Sequence, residues 1–249
     1  MPHTKRFFVE SMTSPSFGAL AETGSLVVLL PVGSVEPHGP HMSLATDTVI
    51  SIGAAKAAAL KLEEAGLAPI IAPPIPYGVT ECAAAFPGAI SVPAEVLTPM
   101  IGAVVDGYLA AGAVHVCVIN NHLEPAQDQA VRAVITNRDK VSVACPLSRK
   151  WGRTLSAEFK SGACHAGQYE TSIVLACDPT LVDTKVSGAL PEVPISLAEK
   201  ITAGTTDFLE MGLDNAYAGT PAGATAEEGR NTLERLAEMI VGEVGNPKA

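Results

Sequence analysis

The sequence predicts an α/β fold with a largely parallel sheet covered by helices on both faces. Three observations carry this. Short apolar runs rich in β-branched residues alternate with longer Ala- and Leu-rich runs of helical length. The short runs are continuously apolar, as strands buried on both faces are. Gly and Pro punctuate the boundaries between them.

The elements follow in order. Leu26 to Leu30 reads as a buried strand. Thr48 to Ala65 reads as a helix ended near Gly66, and Ala68 to Ala72 as a strand stopped by Pro73 and Pro74. Pro93 to Ala111 is helical, with Gly112 past its end; Val114 to Ile119 is a second buried strand. Ala126 to Asn137 is a helix, Val141 to Ala144 a strand, and Tyr169 to Ala176 a further helix. Val186 to Val193 reads as an irregular surface loop. Thr225 to Val244 is a closing helix, with Thr225 as N-cap and Glu228 completing a capping box. No repeat or linker divides the chain, so residues 1–249 are expected to form a single domain.

Composition narrows the function. A net charge of −10 argues against sequence-independent nucleic-acid binding, which needs a basic surface. The five cysteines are odd in number and form no C-x-x-C pair, so a disulfide framework is not expected and a reducing cytoplasm is the simplest compartment. The first eight residues lack the apolar core of a signal peptide, and no apolar run reaches the ~20 residues of a membrane span.

Three segments concentrate metal-binding side chains. Gly33 to Asp47 follows the first strand and holds Glu36, His38, His41 and Asp47, with Pro37, Gly39 and Pro40 fixing a tight loop. Glu36 and His38 are spaced i, i+2, which places both side chains on one side of an extended backbone. Asp47 alone also suits the cap of the helix that follows. Asn120-Asn121-His122-Leu123-Glu124 begins at the end of the second buried strand and repeats the i, i+2 pairing in reverse. Ligand sites of parallel α/β folds form at such strand ends. The third segment runs from His165 to Ser172 and includes Glu170, in the first turn of a predicted helix. Of the remaining histidines, His115 lies within a strand and reads as structural, and His3 falls in the N-terminal segment. Glu36, His38, Asp47, His122, Glu124 and Glu170 are thus candidate ligands. Six such groups suit two metals sharing a carboxylate, with hydrolysis of an amide or related carbonyl compound as the fitting chemistry. His165 is the candidate proton shuttle to the leaving nitrogen.

Val32-Gly33-Ser34-Val35-Glu36-Pro37-His38-Gly39-Pro40-His41 with Thr46-Asp47 resembles the signature of the creatininase (creatinine amidohydrolase) family. Phe86-Pro87-Gly88, Asn120 to Glu124, His165-Ala166-Gly167 with Glu170-Thr171-Ser172, and Gly219 to Gly229 resemble its further motifs in the same order. The resemblance implies a three-layer α/β/α sandwich with a mainly parallel central sheet, assembled as a homo-oligomer, often a hexamer. It implies a dinuclear site of Zn2+ and/or Mn2+, with Fe2+ as a further candidate. Glu36, His38, Asp47, His122 and Glu170 match metal ligands, with Asp47 bridging. Glu124 matches a glutamate that serves as a ligand or contacts the bound water, and His165 matches a histidine of the catalytic site.

The sequence departs from the family pattern at Ala83, Ala89, Asn121, Pro125, Ser161 and Thr220. Ala83, Ala89 and Ser161 stand where the family lines its substrate pocket, so the substrate is expected to differ from creatinine. The expectation is a metal-dependent hydrolase acting on a C–N bond of a small amide, cyclic amide or formamide. A C–C or C–O hydrolase of an oxidised inositol and a non-catalytic family member are the competing readings.

Overall fold

The computed structural model describes residues 2–245, with side chains from Thr4 onward; the readings of His3 and of the chain ends lie outside the described residues. Four parallel strands form one sheet: β1 (Leu26–Val32), β2 (Ala68–Ile71), β3 (His115–Asn120) and β4 (Val141–Ala144), in the order β2-β1-β3-β4. Val28 pairs with Ile70 on one side and with Val116 on the other. The long helices are α1 (Ser14–Ala21), α2 (Thr46–Glu64), α3 (Ala94–Ala110) and α4 (Pro125–Ala133). Two short helices follow, α5 (Arg149–Gly152) and α6 (Ala157–Ser161), and then α7 (Gln168–Cys177). Three more short ones, α8 (Thr184–Ser187), α9 (Leu197–Thr202) and α10 (Phe208–Met211), lead to α11 (Ala226–Val244).

The period-two alternation of strand side chains sets the layers. Val27, Leu29, Cys117 and Ile119 face α2, α7 and α11. Leu26, Val28, Leu30, Val116 and Val118 face α1, α3 and α4. The sheet is buried on both faces, which accounts for its unbroken apolar strands. A third, smaller apolar cluster lies apart from the sheet and joins the 82–89 loop to residues 195–218. None of the five cysteines is paired, and no helix among the described residues is long and apolar enough to cross a membrane.

The predicted elements recur with shifted ends. The predicted helix to Asn137 stops at Ala133, because residues 134–136 tighten into i→i−3 bonds and Asn137 turns left-handed at φ 62°. The capping box at Thr225 is half formed. Its hydroxyl accepts the Glu228 amide, but Thr225 N–H donates to Ser172 Oγ, and the Glu228 carboxylate accepts from Gln168 and Ser172 instead. The predicted 186–193 loop begins inside α8, which Asp183 caps, and ends at Val193, which bridges to Gly219.

Candidate metal centre

The sheet order changes direction between β1 and β3, since the chain leaves β1 for one edge and returns to the other side of it. Crevices at the carboxyl ends of such strands are where ligands enter parallel α/β folds. Both strands deliver their site residues here: β1 runs into Glu36 and His38, and β3 into His122 and Glu124. The helix after β1 comes back over the same point. Ser51 Oγ on α2 donates to the Val32 carbonyl at 2.7 Å. The approach is so close that a Cβ on Gly33 would sit 2.6 Å from the Thr48 backbone nitrogen. Asp47, the second residue of α2, is thereby held over the strand ends. No side chain caps α2, so the capping role considered for Asp47 is not the one it plays.

The seven candidate residues are all buried, none more than 7% exposed. Six converge. Asp47 Oδ1 lies 3.2 Å from His38 Nε2, which is also 3.5 Å from Glu170 Oε2. Asp47 Oδ2 lies 3.1 Å from His122 Nδ1, which is also 3.1 Å from Glu36 Oε2. Glu36 Oε2 is 4.0 Å from both His38 Nε2 and His165 Nδ1. Three donor sets result: Glu36–Asp47–His122, His38–Asp47–Glu170 and Glu36–His38–His165. Asp47 belongs to the first two and offers a different oxygen to each.

Two of these atoms, His38 Nε2 and Asp47 Oδ2, have no hydrogen-bond partner despite their short contacts. Buried polar atoms are rarely left so. The donors point at common centres rather than at one another. Ligands about 2.0–2.1 Å from one cation stand about 2.8–3.4 Å apart in octahedral or tetrahedral arrangement, close to the 3.1–3.5 Å of the contacts within the first two sets. The residues present therefore fit a divalent metal.

Each imidazole is oriented from behind. His38 Nδ1–H donates to the Glu36 carbonyl at 3.0 Å, and His165 Nε2–H to the Pro37 carbonyl at 3.0 Å. His122 sits in a closed ring. Its Nε2–H donates to the Val79 carbonyl at 2.7 Å, and the Val79 amide donates to Gln127 Oε1 at 2.9 Å. Gln127 Nε2 donates to Asn120 Oδ1 at 3.3 Å, and Asn120 Nδ2 to the His122 carbonyl at 2.9 Å. All three rings present their remaining nitrogen to the carboxylates, the second-shell arrangement metal-binding histidines need.

Helix α7 brings the last donor. Glu170 lies in its first turn, and its Oε2 accepts the Ala166 amide at 2.7 Å. Ala166 holds φ at +53°, a left-handed conformation that costs a non-glycine residue about 1–2 kcal/mol. Two bonds sustain it: this carboxylate, and the His165 carbonyl accepting the Ala218 amide at 2.8 Å. Glu158, which sequence reading passed over, accepts the Tyr169 and Thr220 amides at 2.6 Å each and stitches the start of α7 to the C-terminal motif.

Glu124 stands apart from the donor sets. Its carboxylate accepts the Glu81 amide at 3.0 Å and the Cys82 amide at 3.1 Å, and its Oε2 is 3.9 Å from His122 Nε2. Burial raises its pKa, outweighing His122 and the amides.

The electrostatics are those of crowded opposite charges. Burial opposes ionisation of Glu36 and Asp47, yet the neighbouring imidazoles hold both carboxyls below their ordinary values. Burial likewise opposes charge on His38, but Asp47, Glu170 and Glu36 push it up to about 10, and His122 is raised well above its usual value against the same penalty. Burial pushes Glu170 up to about 8 despite His38. Burial, reinforced by the charge of His38, brings His165 down to about 4 and keeps it neutral near pH 7.

A cavity of about 280 Å³ opens over the cluster. Glu36, Asp47, His122, Glu124, His165 and Glu170 form its floor, and its wall comes from Leu123, Pro125, Leu147, α9 and Phe208. Ala83, Ala89 and Ser161, expected at this wall, are not on it. Ala83 is fully buried in the third apolar cluster, Ala89 packs against that cluster, and Ser161 is exposed with its hydroxyl on the Glu158 carbonyl.

A parallel α/β sandwich thus carries a buried imidazole–carboxylate cluster under a cavity at its switch point, where ligand sites of this fold class form. The creatininase family, described as creatinine amidohydrolase, matches residues 10–244. The chain belongs to the creatininase family of amidohydrolases. It is 31% identical to the mycofactocin precursor peptide peptidase of Mycolicibacterium smegmatis over 87% of this chain and 82% of that one. It is 26% identical to the creatinine amidohydrolase of Pseudomonas putida over 72% and 75%. A crystal structure of creatinine amidohydrolase superposes with a TM-score of 0.72 at 21% identity, covering 96% of each chain, a likeness of fold.

Proposed function

We propose that this chain hydrolyses a C–N bond of a small amide, cyclic amide or formamide at a dinuclear divalent-metal centre. The observation that carries the reading is Asp47, whose two oxygens face separate imidazole–carboxylate sets. In this reading His38 and Glu170 would hold one ion and His122 and Glu36 the other, with Asp47 shared between the two sets. Zn2+ or Mn2+ suits such mixed nitrogen and oxygen donors. When bound, two such ions lower the pKa of a water and polarise a carbonyl oxygen.

The chain's own residues do the rest. Neutral His165, anchored through Nε2–H on Pro37, keeps its Nδ1 lone pair on the cavity side. It takes the proton of the attacking water and returns it to the leaving nitrogen. Glu124, fixed by the 81–82 amides on the cavity floor, orients the water rather than binding metal. The peptidase and amidohydrolase names of the relatives both describe C–N cleavage, which supports the reaction class. The resemblance also supports a homo-oligomer, and exposed Val96 and Met100, i and i+4 on α3, offer apolar surface for one.

Metal analysis of protein purified without chelator tests the centre. About two divalent ions per subunit are expected, with His122→Ala losing at least one. Less than one ion per subunit, unchanged in His122→Ala, would sink the reading.

Metal uptake should also be coupled to pH. Below pH 8, His38, His122 and Glu170 hold protons that a cation must displace. Roughly two to three protons per subunit should be released, and apparent affinity should rise with pH by up to ~10-fold per unit per proton. As pH falls, the same protons compete and affinity is lost. Calorimetric titration of Mn2+ in buffers of different ionisation enthalpy measures the release; uptake independent of pH between 6 and 8 would refute it.

A further inference from the structure

The cavity beside the cluster has a wall of one chemical kind. Apart from the floor residues and Cys82, Cys164 and Ala198, it consists of Leu123, Pro125, Leu147, Leu197, Ile201 and Phe208. Among the described residues lining it there is no lysine, arginine, hydroxyl or carboxamide side chain. A charged or hydroxylated substrate group entering here would shed its water and find no partner beyond the floor.

Size adds a second constraint. An apolar cavity of ~150 Å³ stays dry and takes benzene. At about 280 Å³ this one holds an aromatic or branched aliphatic group together with an amide, while a longer substrate continues outward past Leu147, 40% exposed at the rim.

Position adds a third. The Phe208 ring lies 4.6 Å from the His165 ring, centroid to centroid, at 47°. A group against Phe208 is therefore next to the reacting centre, on a residue flanking the scissile bond. The wall is fixed, since Phe208 N–H donates to the Cys82 carbonyl at 2.9 Å and Leu197 N–H to the Gly162 carbonyl at 2.9 Å.

We infer that the substrate carries an uncharged, branched aliphatic or aromatic group directly beside the C–N bond that is cut, and that Ile201 and Phe208 select it. This rests on the amidohydrolase reading for the bond and on the wall for the group. A hydrophobic contact of this kind discriminates by ~10–200-fold.

The experiment uses the Mn2+-loaded full-length protein with two readouts. Calorimetry measures binding of phenylacetate, 3-methylbutanoate and benzylamine against acetate, succinate and methylamine. Turnover is measured on phenylacetamide, 3-methylbutanamide and N-benzylacetamide against acetamide, N-methylacetamide and succinamate. At least one apolar series is expected to bind ~10–200-fold more tightly than its methyl or charged counterpart, and to be hydrolysed in the same order. Ile201→Gln, half-buried on α9, should abolish most of that preference, and Ile201→Val should restore it. Equal binding of apolar, methyl and charged members overturns the inference. Turnover without preference overturns it too and leaves the amidohydrolase reading intact. Preferential binding with no amide turned over supports the wall's selectivity and instead removes the hydrolase reading for small amides.

Discussion

Replacing Asp47 with alanine is expected to empty the centre and lower kcat/KM by on the order of 10⁴-fold. The size follows from its position. Glu36 and His38 also belong to two donor sets, but Asp47 alone faces both His38 and His122 at close range, across 3.2 and 3.1 Å. Without it, each imidazole keeps one carboxylate at close range, Glu170 or Glu36, and neither set retains three donors from its original group. Asp47→Asn should fall nearly as far, since it keeps the shape but loses the charge that favours a cation. The competing account treats Asp47 as a carboxylate placed to favour the helix dipole, a contribution of about 0.3–1 kcal/mol. The two are separated by measuring metal content and thermal unfolding together. A variant that keeps its metal and activity and merely melts slightly earlier would return Asp47 to the role of a helix-terminal charge.

Gly229→Ala should be the most damaging single methyl. Gly229 lies in α11 against α7, where a Cβ would come 2.5 Å from the Ser172 carbonyl carbon, closer still to its oxygen, and 2.9 Å from Ala176 Cβ. The obstructing atoms are backbone, so the helices must part. Overpacking of this severity costs about 3 kcal/mol or more, a fall in Tm of roughly 6–12 °C for a chain of this size. Because α7 carries Glu170, metal retention should fall along with Tm. Gly107→Ala serves as the control: a Cβ there meets nothing within 4 Å, and Tm should not drop. Comparable Tm values for Gly229→Ala and the unaltered protein would show that the helices separate at little cost.

The fold was legible wherever an element was long or continuously apolar. β1, β3, α2 and α11 each carry enough residues for their pattern to outweigh local exceptions. The ends were not: the 134–136 turn closes through local i→i−3 bonds that leave no periodic mark, and the Glu228 carboxylate is diverted to Gln168, distant in sequence. The short helices α5, α6, α8, α9 and α10 span one turn or little more and have no period to read. The cluster was legible for a chemical reason: glutamate, aspartate and histidine are costly to bury, so three segments rich in them at strand ends and helix starts must compensate one another. Glu124 marks the limit, since composition alone leaves it open as a ligand or an acid/base group, and its bonds to the 81–82 amides are set by a loop distant in sequence. The wall was misread. Departures at Ala83, Ala89 and Ser161 were assigned to it, while Leu197, Ile201 and Phe208 carry no mark that distinguishes a lining residue from ordinary core.

The ring of Gln127, Asn120, His122 and Val79 is built from β3, the loop that follows it, α4 and the loop holding Val79, whereas much of the wall hangs on the separate 195–208 segment. The His122 imidazole and most of the shape-selecting side chains therefore answer to different scaffolding, while Phe208, against the His165 ring, joins the two. Exchanging the 195–208 segment with Phe208 kept would retune what enters and leave the His122 ring in place. Such a division makes the cavity an interchangeable die in a fixed press, and gives one architecture room to diversify toward peptide bonds in one lineage and cyclic amides in another.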